Sequence, residues 1–485
     1  MNDLKQEKQK MTNYRWVITA MLFFATTINY MDRQVLSLTW KDFIAPEFHW
    51  TNNDYGTITG IFSIFYAISM LFAGKLVDWL DTKKGFLWSI GIWSFGAVIH
   101  AFCGIATAGF LTGQWTGSFS EARNIISTVG DVGAIVSFSV TLFIFARLVL
   151  AIGEAGNFPA SIKAIAEYFP KKERAFATTV FNSGAQIGAL LAPLTVPFIA
   201  KAFGWEMSFI IIGGLGFIWM GFWVFLYHKP EKNSKVNASE LAYIVQDDAT
   251  EHKVVENNEE SGKKVSYKKA FRHKQTWAFA FGKFMTDGVW WFLLFWLPAY
   301  LSSVYNLDST QSAVHIFVVY AISMFAIVAG GFLPAYFMEK KKMDPYEGRM
   351  RAMLIFAFCP LAILLAQPLG HISVWVPVIL IGIAATAHQS WSANIFSTVS
   401  DMFPKYAVAT ITGIGGMAGG FGSFLINKGS GVLFDYSIAS NMRFLGFEGI
   451  NAGYFIIFCI CAIAYLIGWI VMKALVPKYE LITEM

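Results

Sequence analysis

Charged residues are scarce in this 485-residue chain: they make up 14% of it, whereas 55% of the residues are hydrophobic. A soluble protein carries about 25% charged residues. Cysteine is also rare. The four cysteines lie in apolar runs, which favours packing residues over disulfides or metal ligands. These shortages exclude a soluble globular protein and indicate a polytopic membrane protein.

Twelve apolar runs are long enough to cross a bilayer. They cover residues 15–39, 56–75, 86–108, 137–166, 175–200, 206–227, 276–303, 313–338, 351–368, 373–400, 406–434 and 452–475. The longest polar stretch divides them six and six. The sequence therefore predicts an all-α membrane protein of two six-helix bundles, 1–227 and 275–485, joined by a cytoplasmic linker at 228–274.

The basic residues predict the orientation of these spans. If the N-terminus is inside, 28 of the 37 Lys and Arg residues fall in cytoplasmic segments and only 4 in the opposite loops. Both termini are therefore expected in the cytoplasm. Because the basic residues lie in short loops, the net charge of +5 does not indicate a nucleic-acid partner. The loop at 107–136 is unusually long, and its middle is compatible with a surface helix.

The first span carries Asn29, Asp32 and Arg33 at positions i, i+3 and i+4, so these three side chains share one broad helix face. Ionisable groups inside a membrane are costly and mark functional sites by default. One interpretation is an internal Asp32–Arg33 ion pair. In the other, Arg33 contacts the substrate, Asp32 takes up and releases a proton, and Tyr66 of the second span offers a hydroxyl to the same cavity.

The fourth span places Arg147 and Glu154 two helical turns apart on one face, roughly 10 Å between Cα atoms. Either Arg147 merely neutralises Glu154, or it holds Glu154 when the site is empty and a substrate carboxylate once Glu154 is protonated. The second interpretation would couple anion binding to proton binding, because two buried anions beside one cation are unfavourable.

Two further spans carry polar residues. In the seventh, Lys283 and Asp287 stand at i and i+4, which suits either an intrahelical pair or a Lys283 that adds positive charge to the cavity. In the tenth, Gln389, Trp391 and Asn394 form a hydrogen-bonding group that suits a polyhydroxylated ligand. Hydrogen bonds between helices are the alternative for each of them.

Two motifs indicate how the helices pack and move. The loop after the second span, residues 74–85, contains Gly74, Asp78, Lys83 and Lys84, which are suited to cap helix ends and latch the bundles on the cytoplasmic side. In the fifth span, glycines followed by Pro193 predict close helix contact and a bend.

These motifs resemble the anion:cation symporter family of the major facilitator superfamily, most closely its bacterial hexuronate transporters. The resemblance is strongest in the segments 29–33, 147–160, 168–174, 283–300 and 388–404. It implies import of a hexuronate by proton symport through alternating access in a bacterial inner membrane. Arg33 and Arg147 would then bind the carboxylate, Glu154 and Asp32 would carry protons, and Tyr30, Tyr66, Lys283, Gln389, Trp391 and Asn394 would bind the sugar acid.

Other functions remain open on these residues. An aldonate or other organic-anion symporter, a sugar-phosphate:phosphate exchanger, and a non-transporting receptor on the same scaffold are the alternatives. An enzyme is a poor fit, because no metal cluster, nucleophile triad or cofactor loop stands out. We expect a monomer in the lipid bilayer with no cofactor. The proton is the expected coupling ion, although the residues leave sodium open.

Overall fold

The computed structural model describes residues 10–247 and 267–482, and twelve long helices, α1 to α12, dominate it. They are α1 Tyr14–Thr39, α2 Asn52–Leu80, α3 Thr82–Thr112, α4 Val132–Glu154 with its continuation Asn157–Tyr168, α5 Lys171–Phe203, α6 Trp205–Leu226, α7 Lys274–Tyr305, α8 Ser309–Lys340, α9 Pro345–Phe358 with the 3-10 turn Cys359–Leu365, α10 Trp375–Met402, α11 Lys405–Ala439 and α12 Ile450–Leu475. Each of them overlaps one of the twelve predicted spans.

Short elements occupy the connections. They are the π-helical turn Trp40–Ile44, the helices Ala45–Phe48, Phe119–Thr128, Ala238–Ile244 and Tyr267–Ala270, the 3-10 turns Pro230–Lys232 and Val245–Asp247, and a hairpin of β1 Arg443–Phe444 and β2 Phe447–Glu448. The helix Phe119–Thr128 lies within the long loop where the sequence is compatible with a surface helix. Arg123 anchors it by an ion pair of 2.7 Å to Glu206 at the start of α6.

Nine of the helices in the described part of the chain are long and apolar enough to cross a membrane by length and composition alone. The other three long helices are α1, α10 and α11. These carry many of the polar side chains that the sequence singles out, including Arg33 and Asn394. Polar residues in a membrane helix face the bundle interior rather than lipid, so these helices belong near the centre of the protein.

The side of the molecule where α1 begins, α6 ends and α7 begins is called the linker side below, and the other is the far side. Five of the twelve long helices, α2, α3, α4, α8 and α9, begin with a side-chain cap. At the far-side start of α2, Thr51 and Asp54 form a capping box in which each side chain accepts the other's backbone N–H. Such caps satisfy the free N–H groups of a helix end and fix where it begins.

Glycines let α1 and α5 approach closely. A Cβ at Gly184 or Gly188 of α5 would overlap the α1 backbone near Phe23 or Thr27. Pro193 lies buried inside α5 beyond these glycines. The close contact predicted for this segment is therefore present, and it fixes α1, which carries Arg33, against α5.

The halves α1–α6 and α7–α12 meet along α2 and α11. A Cβ at Gly56 of α2 would lie 2.7 Å from the carbonyl oxygen of Asn427 in α11. Further along the same pair of helices, a Cβ at Gly60 would lie 3.0 Å from the Phe424 ring. These contacts set the far-side seam between the halves.

Candidate functional site

An ion pair between Arg33 of α1 and Glu154 of α4 lies at the centre of the candidate site. Arg33 donates through Nε and Nη2 to the same Glu154 oxygen, at 2.9 and 2.7 Å. Both side chains are buried. The structure therefore gives Glu154 a cation from another helix. Neither the direct Arg147–Glu154 pair nor the Asp32–Arg33 pair considered from the sequence is formed here.

Arg147 lies behind this pair, only 1% exposed. Its two terminal nitrogens donate long hydrogen bonds of 3.4 Å to the backbone carbonyl of Arg33, and its Nε has no hydrogen-bond partner in the described part of the chain. The guanidinium also stands 5.2 Å from the ring centre of Phe62. Arg147 therefore retains hydrogen-bonding capacity that the protein itself does not fill.

Asp32, the neighbour of Arg33 on α1, is buried inside the first half. It is 2% exposed, and neither carboxylate oxygen has a hydrogen-bond partner among the described residues. The indole N–H of Trp93 on α3, which also has no hydrogen-bond partner among the described residues, lies nearby, as do Glu154 and Arg147 of α4. A buried carboxyl group without a partner is costly when ionised, so this position is suited to hold a proton.

Three aromatic rings surround the Arg33 guanidinium. The ring centres lie 4.9 Å away for Tyr30, 4.6 Å for Tyr66 and 5.3 Å for Trp291. All three side chains are half-buried. Trp291 comes from α7, so the rings close around Arg33 from both halves of the protein. Cation–π contacts of this kind stabilise a partly desolvated cation.

Trp291 was not singled out from the sequence, where it is one of four tryptophans and tyrosines in a crowded segment. Its position relative to Lys283 and Asp287 is the available signal, since 283, 287 and 291 follow one stripe of α7. Lys283 and Asp287 form the intrahelical ion pair, 2.8 Å long. Lys283 also packs over the Phe396 ring of α10, at 4.5 Å.

The polar residues of α10 are largely engaged inside the second half. Asn394 donates to the carbonyls of Gly330 on α8 and Ser390, at 2.9 and 2.8 Å. Trp391 is fully buried and packs edge-on against Tyr465 of α12, with ring centres 5.4 Å apart. Gln389 is half-buried. The alternative of contacts between helices is thus formed at Asn394, and a sugar contact from these residues stays a prediction.

An aromatic plug closes the far side above Arg33. It consists of Trp40, Tyr55 of α2 and Trp296 of α7, all completely buried. Trp40 stacks on Tyr55 with ring centres 4.1 Å apart, and Tyr55 meets Trp296 edge-on at 5.0 Å. The Tyr55 hydroxyl donates to the carbonyl of Phe295 at 2.8 Å. The plug therefore joins the two halves directly.

Polar contacts seal the same side. Asp435 of α11 accepts hydrogen bonds from the backbone N–H groups of Asn52 and Asn53 at the start of α2, at 3.0 and 2.7 Å. Lys428 donates to the side chains of Asn53 and Thr57. Among the described residues, the hydrogen bonds and ion pairs between the halves all lie toward the far side. The structure is thus closed at that side.

The loop motif after α2 makes its contacts within the first half. Asp78 pairs with Lys163 of α4 at 3.1 Å, and Lys83 donates to the carbonyl of Val224 on α6 at 2.7 Å. Lys84 is exposed, and a Cβ at Gly74 would meet open space. A latch between the bundles, expected from the sequence, is therefore not formed by these two pairs in this conformation.

No group of three or more His, Cys, Asp or Glu side chains in the described ranges is placed to hold a metal ion. The chemistry of the site is instead that of fixed charges and hydrogen bonds. Two arginines and two acids are buried close together, and one of the four possible Arg–acid contacts among them is a direct ion pair. Such an arrangement can exchange a carboxylate or a proton without covalent chemistry.

Comparison with known proteins places the chain in a family. The Major Facilitator Superfamily model matches residues 22–426. The hexuronate transporter of Escherichia coli K12 is 28% identical over 431 residues, which cover 88% of this chain and 89% of that one. A probable galactarate/D-glucarate transporter of the same bacterium is 25% identical over 460 residues, covering 93% and 95%.

The fold is shared with solved transporters. The structure of a bacterial homolog of the human lysosomal transporter Spinster matches with a TM-score of 0.69 at 18% identity, over 97% of this chain and 99% of that one. The predicted twelve-helix, two-bundle architecture is thereby confirmed, as is the resemblance to hexuronate transporters. The chain belongs to the Major Facilitator Superfamily and is a membrane transporter rather than an enzyme.

Proposed function

We propose that this protein imports a sugar acid, a hexuronate such as glucuronate or galacturonate, by proton symport. The observation that carries the proposal is the buried Arg33–Glu154 ion pair inside an aromatic cage that both halves build. The similarity to a hexuronate transporter supports the same substrate class.

Arg33 is the exchange point in this mechanism. In the structure its guanidinium donates two hydrogen bonds to Glu154. Protonation of Glu154 weakens that pair, and a substrate carboxylate then replaces Glu154 on Arg33. Arg147, directly behind, adds a second positive charge. Binding of the anion and of the proton is therefore favourable together and unfavourable separately, which is the thermodynamic requirement for symport.

The cage can also hold the sugar. Tyr30, Tyr66 and Trp291 present ring faces on which the C–H face of a pyranose can stack, and the two tyrosine hydroxyls can bond its hydroxyl groups. Since Trp291 belongs to the second half, a substrate on this cage touches both halves. Its binding energy can then favour one arrangement of the halves over the other.

The conformation described here is sealed on the far side, so we infer that it is the state open toward the linker side. The distribution of Lys and Arg supports a cytoplasmic linker side. The similarity to a bacterial transporter supports a bacterial inner membrane. Import then requires a second state, in which the plug of Trp40, Tyr55 and Trp296 separates and the linker side closes. This is alternating access.

Transport of an aldarate is the second candidate, because one relative is a probable galactarate/D-glucarate transporter. Counterflow in proteoliposomes separates the candidates: vesicles loaded with unlabelled sugar acid should accumulate labelled glucuronate. The proposal fails if neither uronates, aldonates nor aldarates are exchanged. Specific binding without any flux would favour a receptor.

A further inference from the structure

Three side chains form a stripe along α7. Lys283, Asp287 and Trp291 follow one another at intervals of four residues, so they lie on one side of the helix, about 6 Å apart along its axis. Trp291 packs over the Arg33 guanidinium and against Tyr66 of α2, whose ring is tilted by 54° to it with ring centres 5.7 Å apart. Trp291 therefore faces the first half. Asp287 and Lys283 continue the stripe toward the linker side, where they also pack against α11 and α10.

The charged pair of this stripe is nearly covered but not sealed. The side chains of Lys283 and Asp287 are 7% and 13% exposed, and their closest N–O distance is 2.8 Å. Gly419 of α11 makes room for the carboxylate, because a Cβ there would overlap it. Asp287 is one helical turn from Trp291 of the Arg33 cage, toward the linker side. Asp287 thus borders the same space as the Arg33 cage.

We propose that the Lys283–Asp287 pair makes the site selective for sugar acids with one carboxylate over those with two. This deepens, and rests on, the proposed transport of a sugar acid. A hexuronate has a carboxylate at one end of its carbon chain and an uncharged hydroxyl-bearing carbon at the other. An aldarate has a carboxylate at both ends.

The selectivity follows from the charge balance at the two ends of the site. When one carboxylate sits on Arg33, the other end of the ligand extends along the α7 stripe. Asp287 already neutralises Lys283 there, so a second carboxylate would be placed beside Asp287 without a free cation. Like charges brought together in a poorly hydrated site are strongly unfavourable. Hydroxyl groups meet no such penalty, because they can donate to Asp287 and accept from Lys283.

Asp287→Asn tests this directly, since it removes the negative charge, keeps the size of the side chain and frees Lys283. Binding of glucuronate and of glucarate to the purified full-length protein is measured by calorimetry at one pH. We expect the wild type to prefer glucuronate, and we expect Asp287→Asn to shift the glucarate-to-glucuronate affinity ratio toward glucarate by about tenfold or more. The double variant Lys283→Gln/Asp287→Asn should lose that shift.

Two further variants keep the test sharp. Glu347→Gln removes the acid of another i, i+4 pair, Glu347–Arg351, on the exposed surface of α9, and should leave the ratio unchanged. If Asp287→Asn does not fold, Lys283→Gln provides the opposite test: Asp287 is left uncompensated, and the ratio should shift further toward glucuronate.

The outcomes distinguish this inference from the proposed function. A wild type that prefers glucarate, or an Asp287→Asn variant with an unchanged ratio, overturns the selectivity role while sugar-acid binding stands. A wild type that binds and exchanges no sugar acid at all overturns both.

Discussion

Arg33 holds Glu154 across the gap between α1 and α4, with both guanidinium contacts on a single carboxylate oxygen at 2.9 and 2.7 Å. The other oxygen of Glu154 has no hydrogen-bond partner among the described residues. An ion pair this buried contributes little net stability, because desolvation offsets its attraction. A pair whose carboxylate has one oxygen without a hydrogen-bond partner is better suited to being opened by a competing ligand than to holding the bundle together.

Arg147→Lys should weaken binding of the substrate carboxylate. Lysine keeps the charge but has only one nitrogen, so it cannot contact the Arg33 carbonyl and an anion as a guanidinium can. Loss of a hydrogen bond to a charged group costs about 1.5–3 kcal/mol, which corresponds to roughly ten- to hundredfold weaker binding. Calorimetric titration with glucuronate measures this.

Arg123→Lys is the matched control for that substitution. Arg123 pairs with Glu206 on the far side, outside the site. The affinity of the Arg123→Lys protein for glucuronate should equal that of the wild type. If Arg147→Lys folds and binds glucuronate as tightly as the control, Arg147 does not bind the substrate.

Asp435→Ala should favour opening of the far side. Asp435 caps the free N–H groups at the start of α2 from the other half of the protein. Removing a helix cap costs about 1 kcal/mol, and because this cap exists only while the halves touch, the open population should rise about fivefold. Distances between spin labels at positions 130 and 441, in the two far-side loops, would measure the change.

Asp131→Ala is the control for Asp435→Ala. Asp131 caps the far-side start of α4 by accepting the backbone N–H of Ala134 at 3.0 Å, within one half. Its loss should leave the label distances unchanged. Equal distance distributions for the two variants would mean that Asp435 does not keep the far side closed.

The sequence predicts the helices well and their mutual contacts poorly. Each span is long, apolar and bounded by polar residues, so its position can be read from local composition. The break in α4 after Glu154 cannot be read from local composition. It depends on Gly153 and Gly156, which pack against the backbone of Trp93 and the side chain of Ser89 on α3. Such contacts depend on neighbours that are distant in sequence.

The candidate site shows the same limit. Arg33, Glu154 and Arg147 stand out because charge is rare in membrane spans. Which of them pair depends on how α1 and α4 cross, and spacing within α4 alone favours the wrong partner for Glu154. Asn394 stands out for its polarity, but its side chain donates a hydrogen bond to the Gly330 carbonyl. Buried polar side chains are usually hydrogen-bonded within the protein, most often to the backbone.

Glu240 docks the first part of the linker on α1, and this docking should depend on pH. Burial raises the pKa of Glu240, but hydrogen bonds from the Thr12 hydroxyl and from the backbone N–H groups of Arg15 and Tyr14 lower it by more, to below its ordinary value of 4.5. Because the pKa is depressed in the folded protein, the contact stabilises above that ordinary value and is lost as the pH falls below it.

Glu240→Gln should therefore lower the thermal stability at pH 7, by about 0.5–2 kcal/mol as for other helix caps. The difference in melting temperature from the wild type should stay constant down to about pH 5 and shrink below pH 4.5. The exposed Glu231→Gln serves as the control. A difference that grows on acidification would contradict the assigned role of Glu240.

Glu154→Gln tests the exchange of carboxylates on Arg33 most directly. Glutamine resembles the protonated acid in shape and charge, so the variant should bind glucuronate but no longer couple binding to a proton. In one proteoliposome preparation, labelled glucuronate counterflow should persist while accumulation driven by a pH gradient is lost. Glu206→Gln, which breaks the far-side Arg123 pair, should retain both. Wild-type accumulation by Glu154→Gln under the pH gradient would contradict the mechanism.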